Sequence, residues 1–372
     1  MTTRSLFVIA GVAVLASVSM AQSVRIATWN ISNYTGGRVS DIQNAVYGTF
    51  SGRSMRPDMI LAQEMDNDAG AAALLSALNT AAGGFTDWAM IKATVGGSVT
   101  VSNSNNAIYY RTSKFSNVGG PILFENAADI GSSTSQAPRF TLRGDFKITG
   151  NQNTSETLTV YNSHFKAQDS TGDGGVSRRL VSANNIRANA ATLGSNPYIV
   201  GADFNIQTSS EASYQAMVAG TAGGRFFDPI NRPGSWNGSN TYRFLHTQDP
   251  SGAGGMDDRF DQLLVSQNLI DGTGTDYVGN AALAYSGTTW DDPNHSYRVW
   301  GNDGTSFNNS LTTTGNTMVG ASIAQSLINV STAAGGHLPV FMDVRYTPVP
   351  EPATMVALGL GALAVVRRRR NK

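Results

Sequence analysis

The chain has 372 residues, 14% of them charged and 41% apolar, and its 26 Lys and Arg balance its 26 Asp and Glu. Six of those cations lie in the two ends, so residues 22–352 keep 20 cations against 26 anions, a net charge of −6, which argues against a DNA-coating role resting on basic charge. There is no cysteine, so the fold must stand on its core; the length suits one large domain or two smaller ones, and with no internal repeat and no hydrophilic linker one domain is favoured.

The chain opens "MTTRSLFVIAGVAVLASVSMAQ": one cation at Arg4, an apolar run from Leu6, then small residues. Ser19 and Ala21 fit a small-x-small cleavage pattern, and the apolar run is short for a membrane span, so residues 1–21 are expected to be a cleaved export signal. Strand-like runs follow: "VRIATWNI", "DMILAQEM", "NNAIYYR", "FTLRGDFKI", "LTVYNSHF", "YIVGADFN", "RFDQLLVS" and "PVFMDVRY". They are rich in β-branched, aromatic or other apolar residues, and most are bounded by turn-formers. Helix-like patterns lie between some of them, at 69–82 and 177–193, with another in "SSEASYQAMVAG" (209–220), where Ser209 is the expected N-cap. Strands and helices mixed in this order predict a layered α/β architecture. Residues 267–330 are Gly-, Asn-, Thr- and Ser-rich and predict elaborated surface loops.

Polar residues recur at the ends of the apolar runs. Asn30 ends "TWN", Glu64 ends "QE" and His164 follows "NS"; Asp203 and Asn205 sit in "GADFN", Asp261 in "RFDQLLV", and His337 precedes "LPVF". A single strand-end Asp is more often a turn-former or helix cap. Seven such residues in one chain point instead to groups held rigidly around one cleft.

This series resembles the endonuclease/exonuclease/phosphatase superfamily, metal-dependent phosphoesterases that include DNase I-like nucleases, over residues 24–346. "GADFN" is its most specific motif. The resemblance implies an α+β fold, the DNase I-like four-layer α/β sandwich of two packed β-sheets flanked by helices, as one domain over 22–346. It further implies Glu64 as the principal ligand of a divalent cation, Mg²⁺ or else Mn²⁺ or Ca²⁺, with Asn30 contributing an amide oxygen. Asp203 would orient or deprotonate the attacking water, held by Asn205, while His164 and His337 flank the phosphate. Asp261 is the implied partner of His337, with Asp257 and Asp258 as competitors. His246 and His295 match no motif and are expected to be solvated. Arg111 is placed either near the cleft or in packing. Where the family has Ser-Asp-His, this chain has Gly335, Gly336 and His337, so the cation site lacks a carboxylate. Asp343 or an acid of the long loop is one expected substitute, and water another.

The tail "PVPEPATMVALGLGALAVVRRRRNK" joins a Pro-Glu-Pro motif, a short apolar segment from Thr354 to Val366 and four arginines at 367–370. It resembles the PEP-CTERM sorting signal, which assigns 347–372 to sorting, with a short transmembrane segment and a basic end kept on the cytoplasmic side. That implies transient inner-membrane association, an exosortase-type sorting protease as partner, and a final place in the envelope, at the surface or outside the cell. The function expected is an exported metal-dependent phosphoesterase acting on phosphodiesters, whether extracellular nucleic acid or a small or lipid phosphodiester. The alternative is a non-catalytic surface or matrix binding protein on the same scaffold. A membrane-acting form, a phospholipase or sphingomyelinase, would need an exposed aromatic or apolar loop, with Trp290 or Trp300 as candidates.

Overall fold

The run "VRIATWNI" lies in β1 (Gln22–Tyr34), the longest strand among the described residues, and almost every side chain beyond Ser23 is buried because both faces are covered. The computed structural model describes residues 21–92, 105–167, 172, 174–252, 254–331 and 336–349. The expected export signal and the apolar, basic tail therefore fall outside the described residues, apart from their inner edges.

After β1 come α1 (Val39–Tyr47), β2 (Met59–Met65), α2 (Asp68–Thr80), β3 (Trp88–Lys92), β4 (Asn105–Arg111) and β5 (Phe115–Leu123). The middle of the chain forms β6 (Leu142–Ile148), β7 (Leu158–His164), α3 (Gly175–Ala190), β8 (Tyr198–Asp203) and α4 (Ala212–Val218). The last part forms β9 (Asp261–Val265), the two-residue strands β10 (Asp276–Tyr277) and β11 (Arg298–Val299), α5 (Gly320–Val330) and β12 (Val340–Tyr346).

These make two mixed sheets. One runs β10-β12-β1-β2-β4-β3 with β11 on β12, and the other runs β5-β6-β7-β8-β9. The sheets pack face to face through β1, β2, β4 and β12 against β6 to β9. Helices α1, α2 and α5 cover the outer face of the first sheet, and α3 and α4 that of the second, over a cluster of Tyr161, Ile186, Val200 and Met217. The architecture is the expected four-layer α/β sandwich.

Two features hold the sheets in fixed relation beneath one end of the sandwich. Gly201 on β8 lies where they come closest: a Cβ there would sit 2.6 Å from Leu61 Cδ1 and 3.0 Å from Thr28 Cβ, so the approach requires glycine. Beside it, Gln63 Nε2 donates to Asn162 Oδ1 (2.7 Å) and Thr28 Oγ1 (3.0 Å), and Asn162 Nδ2 donates to the carbonyls of Ala62 and Ala107 (2.8 and 2.9 Å). A buried amide pair directed this way fixes register across the interface, since slipping it would strand polar groups in an apolar layer.

Several sequence expectations are corrected. α1, α5, β3 and β5 were not legible; α5 lies within the stretch expected to be loop. The N-caps of α1 and α5, Arg38 and Val319, make no side-chain capping bond, so both helices lack the usual start signal. α2 has one, Asn67, whose side chain accepts from Gly70 N (2.7 Å). Ser209 is not the cap of α4: Glu211 holds that position, and Ser209 Oγ accepts from Gly234 N. His246 and His295 are buried, not solvated; the His246 nitrogens face the carbonyls of Met256 and Trp236, and His295 Nδ1 meets Tyr277 Oη. Trp300 is buried with Nε1 on Ala45 O, and Trp290 is partly buried with Nε1 on Thr317 Oγ1, so neither forms an exposed aromatic loop. Among the described residues no helix is long and apolar enough to cross a membrane.

Glu125 yields a stability prediction. Its carboxylate is buried and takes Thr141 N on both oxygens (3.1 and 3.2 Å), and burial pushes its pKa up from 4.5 to about 7. A carboxyl raised in the folded state costs stability as pH climbs from the unfolded value through the folded one, on the order of 3 kcal/mol once both states are ionised. Glu125→Gln keeps an acceptor for Thr141 without the charge. Thermal unfolding should show the variant more stable than the parent at pH 8 and indistinguishable near pH 4; an equal difference at both would refute the ionisation argument.

Candidate active site

Strand direction explains why seven separated residues meet. β1 and β2 are parallel, as are β7 and β8, so each pair ends at the same edge of its sheet. Asn30 and Glu64 lie at the end of the first pair, and His164 and Asp203, directly opposite one another, close the second. β9 and β12 run antiparallel to their neighbours, so their starts reach that same edge: Asp261 opens β9 opposite Asp203, and His337 lies just before β12.

The side chains converge on Asp203. Asn30 Nδ2 donates to Asp203 Oδ2 and to Glu64 Oε1, each at 2.9 Å, while Asn30 Oδ1 accepts from Ser32 N at 3.0 Å. His164 Nε2 is 3.4 Å and His337 Nε2 3.5 Å from Asp203 Oδ2. His337 Nδ1 lies 2.6 Å from Asp261 Oδ2. Asn205 N donates to Asp203 Oδ1 (3.1 Å), and Asn205 Nδ2 donates to Phe165 O (3.3 Å). Glu64 Oε2 accepts from Asn33 N at 2.8 Å. Asp203 is 1% exposed, whereas the Glu64 side chain keeps 15% exposure, so Glu64 is the carboxylate that opens toward solvent.

The backbone around this point is held in the left-handed region at Ser32, Asn33, Glu64 and Asn205, with φ of 58°, 45°, 60° and 53°. Such φ values are uncommon without glycine and cost free energy that the surrounding fold must offset. At Glu64 the bend turns the side chain out of the strand's alternation, where Asn30 Nδ2 and Asn33 N both reach it.

The two histidines are electrostatically unlike. Burial lowers the pKa of His164, and the positive charges of Arg139 and His337 lower it further, so its ring is neutral. Burial would also lower His337, but Asp261 and then Asp203 outweigh it and raise its pKa, so its ring is an imidazolium. Burial raises Asp203, opposed by His337. The proton of this group therefore rests on His337.

Asp261, rather than Asp257 or Asp258, is the residue at His337. Asp343 does not replace the missing acid: both its oxygens bind the Arg25 guanidinium (2.7 and 3.0 Å). Arg111 lies away from the cleft, paired with Asp58 and Asp87. A Cβ at Gly336 would fall 1.7 Å from Ser331 Oγ and 2.8 Å from Ser32 Oγ, two buried hydroxyls with no hydrogen-bond partner among the described residues. Two neutral hydroxyls thus fill the space beside residue 336. Among the described residues no three His, Cys, Asp or Glu side chains are grouped as a metal site. By donor type Glu64 and Asn30, hard oxygen ligands, suit Mg²⁺ or Mn²⁺ in a site with one open carboxylate.

Sequence reasoning missed Arg139. The β6–β7 register pairs Leu142 with Asn162, and continued three residues it sets Arg139 against Phe165. Its Nη1 donates to Phe165 O (3.0 Å) and His164 O (3.4 Å). Only that pairing register could have revealed it.

Residues 348–370 match the model of the PEP-CTERM protein-sorting motif, which marks a chain for export to the cell envelope or surface. No curated protein matches the chain in sequence. Solved structures similar in fold include an endonuclease/exonuclease/phosphatase family protein from Bacteroides thetaiotaomicron, 16% identical, with 88% of this chain and 99% of that one covered at a TM-score of 0.49. A mannosyl-6-phosphatase of the same species is 16% identical, with 86% and 99% covered and a TM-score of 0.46. The human Nocturnin catalytic domain, with bound sulfate, is 13% identical, with 87% and 94% covered and a TM-score of 0.43.

Proposed function

We propose that this chain is an exported, divalent-cation-dependent phosphoesterase that hydrolyses phosphodiesters. The observation that carries the reading is the meeting of Asn30, Glu64, His164, Asp203, Asp261 and His337, drawn from both sheets, in one cluster centred on Asp203. Glu64 and Asn30 would hold the cation through their side-chain oxygens. When bound, the cation offsets charge on the phosphoryl oxygens and makes a bound water more acidic.

The remaining work falls to the chain's own groups. Asp203, fixed by Asn30 and by Asn205 N, accepts a proton from the attacking water as the new P–O bond forms. His337, the protonated ring, gives its Nε2 proton to the leaving oxygen as the old P–O bond breaks, and recovers one from Asp203 across 3.5 Å. Neutral His164 can direct a ring N–H at a phosphoryl oxygen without adding a second buried charge. Asp261 keeps the His337 ring oriented and charged.

Extracellular nucleic acid and small or lipid phosphodiesters remain the substrate classes, and an exosortase-type protease acting near Pro350–Pro352, with passing attachment to the inner membrane, is the proposed sorting route. With bis(p-nitrophenyl) phosphate and added Mg²⁺, Mn²⁺ or Ca²⁺, nitrophenolate release should appear and EDTA should abolish it. No release from this diester, from p-nitrophenyl phosphate or from DNA under any of the three ions would leave the second reading, a binding protein on this scaffold. The neutral hydroxyls at Gly336 favour that reading.

A further inference from the structure

We propose that Arg139 is a substrate-binding residue that grips the non-bridging oxygens of the phosphate, an inference that rests on the phosphoesterase reading. The residue stands on the segment leading into β6, half-buried, against the end of β7 that carries His164. A guanidinium has five N–H donors in one rigid plane. Here only Nη1 is engaged, and both its partners are main-chain carbonyls, those of His164 and Phe165. Among the described residues Nε and Nη2 make no hydrogen bond and no carboxylate forms an ion pair with the group. Of the chain's buried arginines, Arg179 is clamped on Glu211 and Arg259 on Asp228, whereas Arg178, like Arg139, binds carbonyls, those of Gly131 and Gln136.

Its charge is nonetheless sensed by the site. Burial lowers the Arg139 pKa, opposed by the charges of Asp203 and Glu64, and Arg139 in turn lowers the basicity of His164. A cation tethered by one nitrogen to the strand that carries His164, with two further donors unspent, has the form that bidentate phosphate recognition needs. Three carboxylates, Glu64, Asp203 and Asp261, face this locus, and the positive charges that act on them include His337, Arg139 and, at Glu64, Arg38. Loss of the Arg139 guanidinium would leave the locus more negative and less able to accept a phosphate oxygen.

The test separates binding from turnover by using inorganic orthophosphate and the whole protein in EDTA. Calorimetry should detect orthophosphate binding to the parent, and Arg139→Gln should weaken it at least about tenfold, the scale of charge-assisted hydrogen bonds. Arg139→Lys, which keeps the charge and can still reach a carbonyl, should lose less. In kinetics with bis(p-nitrophenyl) phosphate, Arg139→Lys should raise KM more than it lowers kcat, whereas a residue that only ties down the end of β7 would lower kcat with KM unmoved. Equal orthophosphate affinity in parent and both variants, or none in the parent, overturns the assignment. Arg139-dependent binding in a protein that turns over no phosphate ester would uphold it and sink the enzymatic reading instead.

Discussion

Asp261→Asn is expected to lower phosphodiester turnover about 10³-fold at pH 8 and to move the alkaline limb of the pH–rate profile to lower pH. Asp261 is fully buried, and its Oδ2 lies 2.6 Å from His337 Nδ1. Asparagine can still accept from Nδ1, so the ring keeps its place, but the charge that sustains the imidazolium is gone. The sign is fixed by what opposes what at His337. Burial drives its pKa down, and Asp261 is the larger of the carboxylates that drive it up. A histidine raised by a partner carries its proton through neutral pH; once Asp261 is neutral, burial is opposed by Asp203 and Glu64 without the largest of the carboxylates, so the pKa falls and the ring loses its proton at lower pH. The proposed donor to the leaving oxygen is then absent at pH 8 and returns as pH falls. General-acid contributions commonly span 10²–10⁴-fold. A kcat profile measured from pH 5 to 9 decides the matter: a uniform drop with the limb unmoved would make Asp261 a packing residue, and an unchanged rate would remove it from the mechanism.

How far the sequence discloses this site depends on which physical signal each part leaves. Strand-end residues are legible because a polar group closing an apolar run is conspicuous in one dimension, and Asn30, Glu64, His164, Asp203, Asn205, Asp261 and His337 all announce themselves that way. Groups that reach the site by other routes leave no such mark. Arg139 enters through the antiparallel register of β6 on β7 and binds carbonyls, which no residue pattern encodes. Ser331 follows the last turn of α5, a helix whose apolar positions Ile323, Leu327 and Val330 have helical spacing but sit amid Gly, Asn and Thr, with Gly320 at φ 70° at its start. The burial of His246 and His295 was illegible for a similar reason: their partners are carbonyls and a tyrosine brought in by loops. The long insertion proves structural, since α5 packs on α1 and Trp300 donates to Ala45 O.

Gly336→Asp alone is expected to destabilise the protein by about 3 kcal/mol or more, and pairing it with Ser331→Gly should restore the fold while strengthening cation binding roughly tenfold. The backbone at 336 does not require glycine, for its φ lies outside the left-handed region. Space does. An added Cβ would stand 1.7 Å from Ser331 Oγ and 2.7 Å from Ser331 Cβ, and the carboxylate beyond it would enter a pocket closed to solvent. Overpacking of this kind costs about 1–3 kcal/mol, and an unpaired buried charge adds to it. Removing the Ser331 side chain deletes the two nearest of these atoms; the third, Ser32 Oγ at 2.8 Å, is the end of a short side chain that can turn aside. Ser32 N already binds the Asn30 amide, and the next residue's N–H binds Glu64, so a carboxylate at 336 would arrive beside the two proposed cation ligands. Affinity for a hard cation rises with the count of charged ligands. Thermal unfolding of the single variant and calorimetric titration of parent and double variant with Mg²⁺ and Mn²⁺ read the two halves separately. If the double variant folds and binds either ion no more tightly than the parent, residue 336 does not face the cation, and the hydroxyl pair is packing rather than the substitute for a lost ligand.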